Sequence, residues 1–88
     1  MNRVYKETLA IEDWQEIMIP KGSELLHVAE QHGSLCLWFR CDPEREKVER
    51  SILIRGTGHR VNDEPYVGTV LVLGGDLVWH VFDGGEVH

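Results

Sequence analysis

The chain has few basic residues and no long apolar run, and each shortage excludes a class of protein. Nine Lys and Arg stand against 15 Asp and Glu, so the formal net charge is −6 over 88 residues. A nucleic-acid or anionic-membrane surface needs clustered basic side chains, so we expect neither partner. No apolar stretch approaches the roughly 20 residues of a membrane helix. The first seven residues also lack the apolar core of a signal peptide, so we expect a cytoplasmic protein.

Cysteine is scarce as well, with only Cys36 and Cys41 present. Five residues of extended chain separate them by about 16 Å, and strand alternation points them to opposite faces. This separation exceeds disulfide reach, so we expect two reduced, buried thiols. The length suits one domain, residues 1–88, with a thin hydrophobic core.

Helical periodicity is missing, because apolar residues recur at nearly every second position. This alternation marks seven stretches, at about 3–10, 15–19, 24–31, 35–41, 49–55, 68–73 and 77–82. The sequence therefore predicts an all-β domain of about six or seven antiparallel strands, arranged as a small sheet, sandwich or barrel. A helical turn is expected only at 12–16 or at 42–47, where Asp42 would cap and Pro43 would occupy the first position.

The stretches at 24–31 and 35–41 fit a hairpin with a two-residue turn at His32 and Gly33. The predicted register pairs Gln31 with Ser34, Val28 with Leu37, and His27 with Trp38. One face is then the core face, made of Leu26, Val28, Leu35, Leu37 and Phe39. The other face is too apolar for open water and too polar for a plain core: Leu25, His27, Ala29, Cys36, Trp38 and Arg40.

The last two stretches are apolar on both faces. One face would carry Val70, Val72, Leu77, Trp79 and Val81, and the other Leu71, Leu73, Val78 and Phe82, with His80 among them. An antiparallel sheet usually leaves one face to water, and a chain this short has little length to cover a second. We therefore expect a homo-oligomer, most simply an isologous dimer. The alternative is a monomeric sandwich whose two sheets bury these faces against each other.

The most unusual local string lies at residues 55–60. It consists of Arg55, Gly56, Thr57, Gly58, His59 and Arg60. Glycine amides can approach an anion closely, and a hydroxyl and arginines suit phosphate. The string lacks the Gly-Lys-Ser/Thr of a P-loop and the third glycine of a dinucleotide fingerprint. The alternative is a glycine-rich strand exit with solvated arginines.

Metal and catalytic sites find little support in the sequence. The five histidines are His27, His32, His59, His80 and His88. Their spacing matches no metal-ligand pattern, so we expect neither a metal nor another cofactor. The cysteines lie in apolar strands and no serine has an evident base, so we expect no catalytic residue and no enzyme activity. A reaction assisted by His59 is the weak alternative.

Eight strings occur in an order that resembles a family of small bacteriophage and prophage proteins without an assigned activity. They lie at 3–6, 19–22, 26–28, 35–38, 42–43, 56–59, 66–70 and 77–82. The most specific are Gly-Thr-Gly-His at 56–59 and Val-Trp-His-Val-Phe at 78–82. The resemblance implies a phage accessory protein acting in the bacterial cytoplasm, and it implies no catalytic residues.

Phage proteins of this size often act by binding, which suggests a protein that sequesters a nucleotide-derived signal of host defence. In this hypothesis the Thr57 hydroxyl and the Gly56 and Gly58 amides hold phosphate. Arg55 or Arg60 neutralises its charge, and Trp38 or Trp79 stacks the base.

The rival hypothesis is an inhibitor that binds a host enzyme or defence complex through an acidic surface. That surface would consist of Glu12, Asp13, Glu44, Glu46, Asp63 and Glu64. A structural role in the virion is a third possibility.

Overall fold

Seven antiparallel strands make up most of the chain in a computed structural model, which describes residues 1–87. The strands are β1 (Arg3–Leu9), β2 (Trp14–Pro20), β3 (Glu24–Gln31), β4 (Ser34–Cys41), β5 (Lys47–Gly56), β6 (Tyr66–Val72) and β7 (Leu77–Glu86). The predicted all-β fold with seven strands is confirmed. Within residues 1–87, no helix has the length and apolar character needed to cross a membrane. His88, which was considered as a metal ligand, lies outside the described residues.

The strands form two sheets that pack face to face as a sandwich. The first sheet has the order β1-β4-β3 and the second the order β2-β5-β7-β6. On one side β3 packs against β6. On the other side β1 and β2 form no ladder with each other in the described part of the chain, so the sheets do not close into a barrel. Each sheet therefore has an inner face toward its partner and an outer face away from it.

The two inner faces meet in one hydrophobic core. Its buried members are Leu9, Ile17, Ile19, Val28, Leu35, Leu37, Phe39, Cys41, Ile52, Ile54, Val70 and Val81. Each large aliphatic side chain buried in this way stabilises the fold by about 1.5–3 kcal/mol. The single chain thus covers both inner faces itself, as the sandwich alternative requires, and what remains without cover is the outer face of each sheet.

The hairpin of β3 and β4 has the predicted register. Its turn residues His32 and Gly33 both have positive φ, at 53° and 81°. The three predicted pairs, Gln31 with Ser34, Val28 with Leu37 and His27 with Trp38, are all present. The assignment of Leu26 to the core face is wrong, because a bulge at this residue reverses the alternation. Leu26 is exposed, and Leu25 instead pairs with Phe39 and packs against the core.

The expected helical turns are also wrong. Residues 42–46 form a non-helical turn, in which the Glu44 amide donates to the Asp42 side chain, and β2 already begins at Trp14. The one helical turn described is the 3-10 segment Leu73–Gly75 between β6 and β7. The loops from β1 to β2 and from β4 to β5 are short crossings from one sheet to the other, which leaves little chain for a helical turn.

One ion pair lies inside the sandwich, at the inner face of the second sheet. The Arg50 guanidinium donates to both carboxylate oxygens of Asp83, at 2.9 and 2.7 Å, and to the Ser23 carbonyl at 2.8 Å. The Gly85 amide also donates to Asp83. Burial by itself would raise the pKa of the Asp83 carboxyl, but these hydrogen bonds outweigh it and hold the pKa below its usual range. The pair ties β5 and β7 to the turn before β3.

Candidate functional site

One end of the sandwich is open between the two sheets and contains a cavity of about 340 Å³. We call this end of the sandwich the open end. It is the end at which Leu9 pairs with Leu35 and Gly56 pairs with Trp79. Its apolar lining residues are Leu9, Ile11, Leu35, Val72, Leu73, Leu77 and Trp79. The Trp79 side chain also packs against the core, so this cavity is an extension of the core that reaches solvent.

A smaller cavity of about 140 Å³ shares Ile11 and Trp79 with the first. Its other lining residues are Ile54 and His59, together with Glu12 and Asp13 from the loop between β1 and β2. The open end therefore brings together two of the predicted ligand residues, Trp79 and His59. The two carboxylates add negative charge here, so this part of the cavity repels a phosphate group.

The turn after β5 is closed by hydrogen bonds within itself. The Gly56 amide donates to His59 Nδ1 at 3.2 Å, and the His59 amide donates to the Gly56 carbonyl at 3.1 Å. The predicted anion nest therefore loses the Gly56 amide. Because Nδ1 accepts a hydrogen bond, the neutral His59 ring carries its proton on Nε2. Gly58 has a φ of 91°, a conformation that favours glycine, and it is exposed.

The other members of the predicted set divide between different roles. Arg55 points to the outer face of the second sheet, and its guanidinium donates to the Asp13 and Ile54 carbonyls. This contact anchors the loop between β1 and β2. Arg60 is exposed next to His59.

Trp38 lies on the outer face of the first sheet, with the His27 ring 6.3 Å away between centroids. The structure thus does not bring Trp38 to the open end. Trp79, the other residue predicted to stack a base, lies on the inner face of the other sheet.

A family model described as a domain of unknown function (DUF7352) matches residues 1–88. The chain belongs to the DUF7352 family. No curated protein and no solved structure matches this chain. The family description names no activity or ligand.

The DUF7352 chain also carries a polar network that the sequence analysis missed. His80 Nε2 lies 2.9 Å from the Thr57 hydroxyl, and His80 Nδ1 lies 3.0 Å from the Thr69 hydroxyl. The Tyr66 hydroxyl continues the chain to Thr69 at 2.6 Å. Hydroxyls both donate and accept, so the network can hold either tautomer of His80. It occupies the Thr57 hydroxyl, which was predicted to hold phosphate.

The six acidic residues of the predicted inhibitory surface lie in three separate loops. Glu12 and Asp13 line the open end. Glu44 and Glu46 belong to the connection from β4 to β5, at the opposite end of the sandwich, where Arg3 pairs with Cys41. Asp63 and Glu64 lie in the connection from β5 to β6. Among residues 1–87, no group of three or more His, Cys, Asp or Glu side chains is arranged to hold a metal ion.

Proposed function

We propose that the protein is a non-enzymatic binding protein that takes a small nucleotide-derived ligand into the open end of the sandwich. The observation that carries the proposal is the position of Trp79, whose side chain lines both cavities and shares the smaller one with His59. A volume of about 340 Å³ lies within the usual range of ligand pockets, about 300–1,000 Å³. A mostly apolar lining with a few polar groups at the rim is also typical of such sites.

The charges at the rim favour one orientation of this ligand. The N–H groups of a base can donate hydrogen bonds to the carboxylates of Glu12 and Asp13. Glutamate accepts a hydrogen bond from the amino group of cytosine in the same way. With the base against Trp79, the sugar and phosphate point outward past His59. The His59 Nε2–H can donate to them, and the exposed Arg60 guanidinium suits the phosphate. A ligand with one or two phosphates fits this arrangement better than a polyphosphate, because only one end of the site is basic.

Sequestration is the role that fits a binding protein with this site. We infer the phage setting from the resemblance of the Gly-Thr-Gly-His and Val-Trp-His-Val-Phe strings to small phage proteins. In that setting the protein would lower the concentration of a nucleotide-derived signal in the bacterial cytoplasm without chemical conversion.

Isothermal titration calorimetry with a panel of nucleosides, mononucleotides, cyclic nucleotides and ADP-ribose derivatives tests the proposal. Trp79→Phe keeps an aromatic ring against the core but reduces the stacking area, so we expect weaker binding of the ligand that gives heat. Trp38→Phe is the matched control, since Trp38 lies on the outer face of the first sheet and lines neither cavity. Absence of heat with the whole panel, or equal weakening by both variants, would overturn the proposal.

Inhibition of a host protein is the rival proposal, and the net charge of −6 supports it. Its predicted surface is divided between opposite ends of the sandwich, which reduces the attraction that one basic partner could gain from it. A pull-down from host lysate distinguishes the two functions, because a stoichiometric protein partner supports inhibition and a small molecule alone supports sequestration.

A further inference from the structure

A continuous apolar row crosses the outer face of the second sheet. Trp14, Leu53, Phe82 and Tyr66 come from β2, β5, β7 and β6, and each is paired in register with the next. We call these four residues the outer row. Trp14 is 56% exposed and Tyr66 61% exposed. Trp and Tyr side chains span about 150–250 Å² each, so the two ends of the row present a large aromatic surface to solvent.

Opposite charges flank the outer row. Toward the open end the row is followed by the cationic Arg55, which is paired with His80 across β5 and β7. Toward the other end lie Glu16 on β2 and Glu49 on β5, followed by Lys47, so two carboxylates and one ammonium leave this side net negative. A hydrogen bond with the Glu49 carboxyl, together with desolvation and its charge, raises the pKa of Glu16. Glu16 and Glu49 are diagonal neighbours on one face of the β2–β5 ladder, and a basic group brought to this side would relieve the repulsion between their carboxylates.

The outer face of the first sheet differs, because its charged side chains have polar partners within the chain. Arg40 forms an ion pair with Glu24, and the Lys6 ammonium donates to the neutral Gln31 side chain at 2.6 Å. These contacts lie on either side of Trp38, which is half-buried. The second sheet is thus the one whose outer face combines an uncovered apolar row with a different charge on each side of that row.

We propose that a second copy of this chain docks on the outer row, face to face, about a two-fold axis that runs along the row. Rotation about this axis reverses the strand direction, so the row of one copy lies on the row of the other. The side that carries Glu16 and Glu49 then faces the Arg55 side of the second copy, and this contact occurs twice. An axis parallel to the strands would instead oppose carboxylates to carboxylates, which costs free energy.

The size of the face agrees with this occupant. Four strands about 4.8 Å apart and seven residues long give a flat area of about 19 Å by 23 Å. Side-chain relief raises the accessible area above this flat figure, toward the roughly 800 Å² per partner of a standard interface. The outer row would form its apolar centre and the charged residues its rim, which is the usual arrangement in stable complexes.

Sedimentation equilibrium at micromolar concentration tests the proposal, with a particle of twice the chain mass expected. Tyr66→Arg places a charge at the end of the row and should weaken association at least about tenfold, roughly 1.4 kcal/mol. Val4→Arg is the matched control, since Val4 is 57% exposed on the outer face of the first sheet and should leave the dimer intact. A monomer at all concentrations, or equal effects of both variants, would overturn the proposal.

A charge exchange tests the direction of the axis independently. Glu49→Arg and Arg55→Glu should each weaken the dimer, because each replaces an attraction with a repulsion on both sides of the axis. The double variant restores opposite charges across the interface and should recover association toward the wild-type value. A double variant weaker than both single variants contradicts the proposed orientation. Circular dichroism of each variant separates a lost interface from a lost fold.

Discussion

Replacing Arg50 with methionine removes the cation from the ion pair with Asp83 inside the sandwich. Arg50 is 9% exposed, and its guanidinium makes two hydrogen bonds to Asp83 and one to the Ser23 carbonyl. Methionine fills most of the volume but leaves the Asp83 carboxylate with the Gly85 amide as its hydrogen-bond donor. Removing one partner of a buried pair costs about 3–5 kcal/mol, because the other charge stays desolvated. The total stability of a domain this size is about 4–13 kcal/mol.

Urea unfolding followed by circular dichroism measures this loss. Arg40→Met is the matched control, because Arg40 pairs with Glu24 on the surface and both side chains are about half exposed. An exposed pair contributes about 0–1 kcal/mol, so this variant should stay near the wild type. If Arg50→Met and Arg40→Met lose equal stability, the inferred role of the buried pair is wrong.

The pH dependence provides a second readout of the same pair. The folded pKa of Asp83 lies below its unfolded value, so the pair stabilises the fold fully above the unfolded pKa. That contribution is lost as pH falls through the folded pKa. In Arg50→Met the desolvated carboxyl has no such partner, so acid should destabilise the variant less than the wild type. Steeper acid destabilisation of the variant would contradict this assignment.

Three further predictions concern local packing. Leu25→Ser should lower the free energy of unfolding in urea by about 2 kcal/mol and Leu26→Ser by less than about 0.5 kcal/mol, because the bulge buries Leu25 and exposes Leu26. A larger loss for Leu26→Ser would place the bulge elsewhere. Gly68→Ala should destabilise the fold by about 1–3 kcal/mol, because the new Cβ would lie 2.7 Å from Val28 Cγ2, and unchanged stability would contradict the close approach of β3 and β6. Burial, together with the charge of Asp42, raises the pKa of the Cys41 thiol, so Cys41 should react with a thiol reagent only after denaturant is added; fast labelling in the folded state would contradict its burial.

Strand positions and the register of the first hairpin were predictable from the sequence because their signals are local. Alternation identifies a strand, and a two-residue turn at His32 and Gly33 fixes which residues face each other. The bulge at Leu26 was not predictable in this way. It shifts the alternation by one residue, in a strand that packs against β6 where Gly68 approaches Val28 closely.

Much of the candidate site depends on contacts between distant parts of the chain. His59 and Trp79 come together because Gly56 pairs with Trp79 across two strands, a pairing that no local pattern indicates. The network from Thr57 through His80 to Thr69 has the same origin. Trp38 and Trp79 were both predicted to stack a base, and the two lie in different sheets. The sequence thus indicates which residue types could bind a ligand. Which of these residues lie next to each other depends on the order of strands in the sheet.

Native mass spectrometry after incubation with the nucleotide panel tests the central claim, ligand binding at Trp79, most directly. We expect one ligand per chain, seen as a single mass increment that Trp38→Phe retains at full occupancy and Trp79→Phe shows at lower occupancy. No increment with any compound, or an increment retained in Trp79→Phe at unchanged occupancy, would contradict binding in the cavity at the open end.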